Sequence, residues 1–195
     1  MTRGCQRNLS LHCMTMIQLM TIVRQSASSL FLNRQYLSDF KSLMRALTSG
    51  NVTIISTKFR SDFFYHSPTP NNTSILKLWS LYANINPITL DPKDLITHAG
   101  DKKSLTKYFQ SINHLSTNRY YYRQYKQAFL DSIYSDDPNN TITQMILACD
   151  EYLINKCRIK RMLLVEHKNL ASFQTLTKDT FSLAMRILHS ETHVN

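Results

Sequence analysis

Apolar residues recur every three or four positions through most of the stretch from Ser104 to Lys168, and this pattern constrains the fold more than any other. A 3.6-residue period gathers such residues into one stripe along a helix, and a stripe must be buried against something. The first run is Leu105, Tyr108, Phe109, Ile112 and Leu115. Ser116-Thr-Asn118 interrupts it, and Asn118 is suited to cap the next helix. That helix, Arg119–Tyr134, places Tyr122, Tyr125, Phe129 and Ile133 near one side. Asp136-Asp-Pro138 separates it from a third run, expected from about Thr141 to about Lys168. Its stripe is Ile142, Met145, Ile146, Cys149, Tyr152, Leu153, Ile159, Leu163 and Leu164. Two caps compete for its start: a capping box at Thr141-x-x-Gln144, or Asp137 with Pro138 in the first turn.

An earlier helix is expected over 36–50, where Leu37, Phe40, Leu43, Met44 and Leu47 keep helical spacing and Gly50 is a plausible stop. Residues 51–103 keep no sustained period. Val52-Thr-Ile-Ile55 is β-prone, but one short run does not make a sheet. Ser67–Thr73 has turn chemistry, Ile75–Tyr82 reads as a short helix or a packed strap, and Pro87 and Pro92 break longer elements. The segment reads as an irregular insertion packed by Trp79. Phe173, Leu176, Phe181, Leu183, Ile187 and Leu188 point to a helical tail over 171–195. The expected fold class is therefore all-α, with one helical domain over 36–170.

The chain has 195 residues, enough for one domain. Three glycines are too few for a Rossmann or P-loop phosphate cradle. No apolar run reaches the length of a membrane span. Seven dispersed histidines lack zinc-ligand spacing, and no nucleophile elbow or Cys/His arrangement occurs. The four cysteines form no framework and read as small hydrophobes. The expectation is a non-enzymatic protein with no cofactor. Five Asn-x-Ser/Thr sequons read as chance in a chain rich in Asn and Thr.

No Asp or Glu precedes Asp39, whereas Arg3, Arg7, Arg24 and Arg34 are scattered among serines and apolar residues. That is the composition of a mitochondrial transit segment, expected over 1–35. An ordinary N-terminal helix is the second reading and secretion a distant third.

The formal net charge is +10. Lys41 and Arg45 stand four apart on the first helix, a mildly unfavourable pair that makes an acidic partner attractive. Arg119, Arg123 and Lys126 form a second basic edge. Surfaces of this kind bind nucleic acid, anionic lipid or acidic protein. In Arg119-Tyr-Tyr-Tyr-Arg-Gln-Tyr-Lys126 the interleaved rings are able to stack on bases, but on a helix about half of them must face neighbouring elements.

Phe40-Lys-Ser-Leu-Met-Arg-Ala-Leu47 resembles the first helix of the LYR-motif proteins, with Asp39-Phe40-Lys41 as a degenerate tripeptide and Lys41 in place of the family's Arg. Tyr122-Arg-Gln-Tyr-Lys-Gln-Ala-Phe129, Ala148-Cys-Asp-Glu-Tyr-Leu153 and Arg158-Ile-Lys-Arg-Met-Leu-Leu-Val-Glu-His167 resemble segments of the formation of mitochondrial complex V assembly factor family. The resemblance implies a LYR-type three-helix bundle in the mitochondrial matrix. It implies a role in assembly or stability of the F1 sector of ATP synthase, with F1 subunits or their chaperones as partners. Acylated mitochondrial acyl carrier protein is a further implied partner. By carry-over, Lys41 and Arg45 face acidic groups or a phosphate of the partner and Phe129 lines the bundle interior; with Phe40 and the basic edge of Arg119, Arg123 and Lys126 these are the expected partner-binding residues. On this reading, reversing both charges at Lys41 and Arg45 abolishes partner capture and leaves the fold intact. The alternative is a mitochondrial RNA-binding or ribosome-associated protein.

Overall fold

The computed structural model describes residues 16–48 and 50–157. The readings made for residues 1–15, for the third helix beyond 157 and for the tail at 171–195 lie outside them. In chain order the elements are strand β1 (Met16–Val23), helices α1 (Arg24–Ser29) and α2 (Arg34–Leu47), and strands β2 (Val52–Ser56) and β3 (Arg60–Ser67). Helix α3 (Asn72–Tyr82), strand β4 (Leu95–Ala99) and helices α4 (Asp101–Leu115), α5 (Arg119–Tyr134) and α6 (Thr141–Cys157) follow. Two short 3₁₀ turns, Pro87–Thr89 and Pro92–Asp94, lead into β4.

The all-α expectation is overturned. The four strands form one antiparallel sheet in the order β2-β3-β1-β4, and helices cover both of its faces. The LYR-type three-helix bundle falls with it. On one face Ile17, Leu19, Ile55 and Phe64 pack with Leu105, Tyr108, Phe109, Ile112, Tyr125, Phe129 and the buried stripe of α6. On the other, Met20, Ile22, Val52, Ile54, Phe63 and Tyr65 pack with Phe40, Met44, Ile75 and Trp79. A strand covered on both faces needs apolar side chains in both directions, so it shows no alternation. Met16–Val23 and Val52–Ser56 are such strands, and the missing period-2 signal hid them.

The region read as an irregular insertion, 51–103, supplies β2, β3, α3 and β4. Its hairpin has no Asn-Gly or Asp-Gly turn to announce it. Instead the Thr57 hydroxyl closes the β2–β3 turn, donating to the Arg60 carbonyl at 2.7 Å and accepting from the Arg60 amide at 3.1 Å. Ile75–Tyr82 is helical, and Trp79 is anchored by its indole N–H, which donates to the Leu30 carbonyl at 2.8 Å.

Residues 16–35, assigned from sequence to a transit segment, contain β1, which pairs with β3 along its whole length and with β4. A cut at 35 would remove an interior strand, so a removable leader compatible with this sheet ends before Met16.

The helical stripes themselves are met. Leu105, Tyr108, Phe109 and Ile112 of α4 are buried, as are Tyr125, Phe129 and Ile133 of α5. The Asn118 side chain accepts from the amides of Tyr120 and Tyr121, as its position predicted. Neither cap considered for α6 is used. Asn140 takes the role, its side-chain oxygen accepting from the Ile142 amide at 3.1 Å. Gly50 does adopt a left-handed conformation (φ +86°), but it lies in the turn to β2, beyond the end of α2 at Leu47.

Cys149 faces the interior, and burial pushes its thiol up to about 12, with Asp150 adding to the shift. The thiolate is the reactive form. Cys149 is expected to resist iodoacetamide at neutral pH in the folded protein and to become reactive in urea. Mass spectrometry of its tryptic peptide reads this, and rapid labelling without denaturant would contradict the burial.

Candidate functional site

The seven residues assigned to partner binding separate into three environments. Phe40 and Phe129 are fully buried, on opposite faces of the sheet. Phe40 lies among the rings of Phe63, Trp79 and Tyr82, with centroids 5.2–6.1 Å away. Neither ring is available to a partner.

Lys41 and Arg45 do meet an acid, and it belongs to the same chain. Asp136, in the connection between α5 and α6, has a fully buried carboxylate. Its Oδ1 lies 3.1 Å from Lys41 Nζ and also pairs with the Arg45 guanidinium. Its Oδ2 accepts from Thr143 Oγ1 (2.7 Å) and Asn140 Nδ2 (2.8 Å), and the Asp137 amide donates to Oδ1. Asn140 also donates to the Val52 carbonyl at 2.9 Å, tying this node to β2. The Lys41 side chain is only 8% exposed. Burial lowers the pKa of its ammonium, and Asp136 offsets part of that shift. Two cations thus share one carboxylate. The like-charge pair seen in the sequence is resolved inside the fold, and reversing both charges would set three carboxylates together. The expectation that such a double reversal leaves the fold intact is therefore withdrawn.

Between α2, β2 and α5 lies a cavity of about 270 Å³, with Lys41 and Arg45 in its wall and Leu32, Leu37, Ile54 and Ala128 among its apolar lining. It runs beside the outer edge of β2, the last strand of the sheet on that side. Ser132 of α5 donates to the Ile54 carbonyl there at 2.8 Å.

The third environment is the solvent face of α5. Arg119 and Arg123 are exposed, and Lys126 is half-buried. The tyrosine run divides around the helix. Tyr125 points into the core, whereas Tyr120 and Tyr121 are 68% and 42% exposed. Tyr120 and Tyr121 meet edge to face at 5.5 Å, and Phe59 from the β2–β3 turn lies 4.7 Å from Tyr121. Beside it, Lys58 extends its ammonium over the Phe31 ring at 5.8 Å. Sequence reasoning missed Lys58 and Phe59, because only the hairpin brings that turn to the start of α5.

Burial sharpens the positive charge of the surface. The carboxylates of Asp62, Asp94, Asp136 and Asp150 are withdrawn from it, whereas Lys41 and Arg60 are the buried cations among the side chains described. Arg60 is matched by Asp62, two residues along the same strand. Asp62 Oδ1 accepts from Thr21 Oγ1 (2.6 Å) and Arg60 Nη2 (2.8 Å). Its Oδ2 accepts from Arg60 Nε (2.6 Å) and the Tyr125 hydroxyl (2.5 Å). The Tyr125 O–H is thus committed to Asp62, and Tyr108 donates to the Tyr125 oxygen at 3.2 Å. This cluster locks β1, β3, α4 and α5 together. The Arg-x-Asp spacing, which puts both side chains on one face of a strand, is its only sequence signal.

Among the described residues no group of His, Cys, Asp and Glu is placed to hold a metal ion, and no helix is long and apolar enough to cross a membrane. No protein-family model matches the chain, and no curated protein matches it.

Proposed function

We propose that this chain is a non-enzymatic protein that binds single-stranded nucleic acid through the α5 face. The observation that carries the reading is the ring set Phe59–Tyr121–Tyr120, in which both tyrosines are exposed and Phe59 is half-buried beside Tyr121, flanked by Lys58, Arg119 and Arg123. Rings presented to solvent stack on unpaired bases, and the neighbouring cations follow the phosphates. A helix carrying two exposed tyrosines beside two arginines is poorly explained by core packing, which is already served by Tyr125, Phe129 and Ile133. The excess positive charge favours a polyanion over a neutral partner.

Fluorescence anisotropy with labelled oligouridylate tests this. Tyr120→Ala with Tyr121→Ala is expected to weaken binding at least tenfold, since stacking contributes about 1–3 kcal/mol per base. Arg119→Gln with Arg123→Gln is expected to reduce the salt slope by about 0.7 for each phosphate that is no longer neutralised. All four side chains are exposed, so circular dichroism of both variants should match the parent. Affinity unmoved by either pair would refute the reading.

The mitochondrial assembly-factor reading draws on the Tyr122–Phe129 and Ala148–Leu153 segments, which lie on successive helices α5 and α6. Its first-helix contacts are weakened, because Phe40 is interior and Lys41 and Arg45 already hold Asp136. Affinity purification from mitochondria separates the two. Recovery of F1 subunits, their chaperones or acyl carrier protein favours assembly in the matrix, whereas co-purifying RNA that dissociates at high salt favours the α5 face.

A further inference from the structure

We propose that the cavity between α2, β2 and α5 binds a small organic monocarboxylate, with its carboxylate on Lys41 and Arg45 and a compact hydrocarbon or aromatic body against Leu32, Leu37, Ile54 and Ala128. Three observations carry this. The first is donor capacity. An ammonium has three N–H donors, and the Asp136 oxygen 3.1 Å from Lys41 Nζ can satisfy at most one of them well. Leaving a buried donor unsatisfied is costly, so an acceptor in the cavity is favoured. Three of the five serine hydroxyls in the cavity wall are already committed. Ser42 donates to the Ser38 carbonyl, Ser132 to the Ile54 carbonyl and Ser135 to the Ser132 carbonyl. The charged donors left for a ligand are the cationic side chains, with the Ser38 hydroxyl beside them in the wall.

The second is charge. Lys41 and Arg45 share the single carboxylate of Asp136, which leaves one positive charge uncompensated at that end. Arg34 and Asp131 also line the cavity, so Arg34, Lys41 and Arg45 stand against Asp131 and Asp136 with a formal surplus of one positive charge. A monoanion balances this arrangement. A phosphate dianion would exceed that formal surplus by one charge. The third is size. A dry apolar cavity of about 150 Å³ accepts benzene, so about 270 Å³ admits a ring or a short chain together with its carboxylate.

Isothermal titration of the full chain with benzoate tests the site, with benzyl alcohol and inorganic phosphate as controls. Saturable benzoate binding is expected, with no saturable response to either control. Arg45→Gln is expected to weaken benzoate at least tenfold. Ala128→Phe, which fills the cavity and keeps every charge, is expected to abolish binding, with the parent's circular dichroism confirming its fold. Leu37→Trp obstructs the same space from α2 and serves if Ala128→Phe does not fold. Tyr120→Ala with Tyr121→Ala is expected to bind benzoate like the parent, so this test is independent of the nucleic-acid reading. The proposal is overturned by absent benzoate binding, by equal binding of phosphate, or by benzoate affinity unchanged in the cavity-filled variant.

Discussion

Asp62→Ala is expected to lower the folding free energy by about 3–5 kcal/mol, the usual cost of removing one partner from a buried ion pair. The carboxylate is fully buried and accepts from Thr21, Tyr125 and two nitrogens of Arg60. Without it the Arg60 guanidinium, itself 9% exposed, keeps only Ser111 as a hydrogen-bond partner among the described residues. A lysine in that place could shed its proton, but arginine cannot. Asp62 holds the Arg60 pKa above even its ordinary value, against the pull of burial. Chemical denaturation read by the fluorescence of Trp79, the single tryptophan, measures the destabilisation. A value below about 1 kcal/mol, the scale of an exposed pair, would contradict the geometry. Arg60→Met combined with Asp62→Leu is expected to be more stable than Asp62→Ala, because no unpaired charge remains.

The same cluster sets an alkaline limit. Burial raises the phenol pKa of Tyr108 and Tyr125 well above the ordinary value, and the negative charge of Asp62 adds to it. In the unfolded chain both phenols ionise near pH 10. From there upward the folded state binds more protons than the unfolded state, so stability falls as pH rises. Tyr108→Phe is expected to lessen that slope.

Asp136→Ala is the second large effect, expected near 3 kcal/mol, at the lower end of the range for a broken buried pair. Arg45 is 31% exposed and can turn toward water, whereas Lys41 cannot. The destabilisation therefore falls mainly on Lys41 and on Thr143 and Asn140, whose side chains also give up a hydrogen bond. Lys41→Met in the Asp136→Ala background is expected to recover part of the stability. The coupling from that double-mutant cycle is expected to be about 0.5–3 kcal/mol. A cycle that closes at zero would show that the two groups do not interact. The Lys41→Glu, Arg45→Glu double variant is expected to be strongly destabilised, so its failure to bind any partner would not locate one.

Helical periodicity was legible because it is a local property. The stripes of α4, α5 and the described part of α6 are buried as their spacing requires, and Asn118 caps α5 with its own side chain. What those stripes pack against was not legible. A helix has the same apolar face whether its neighbour is a helix or a sheet, and here it is a sheet. Its strands escaped notice because β1 is buried on both faces and β4 is short and largely exposed. The α6 cap was missed for a similar reason: Asp137, Asn140 and Thr141 are all competent acceptors, and only Asn140 also reaches β2.

The sequence by itself determined the excess of positive charge, the basic edges of two helices and the faces those helices bury, because each depends on residues within a few turns of one another. Tertiary structure decided which of the charges remain free. Lys41 and Arg45 are neutralised in part by Asp136, 91 residues beyond Arg45. Arg119 and Arg123 stay at the surface, beside rings that the β2–β3 turn completes. Coulomb attraction and desolvation act through space, so the distance along the chain carried no sign of which basic pair would be held inside and which would face solvent.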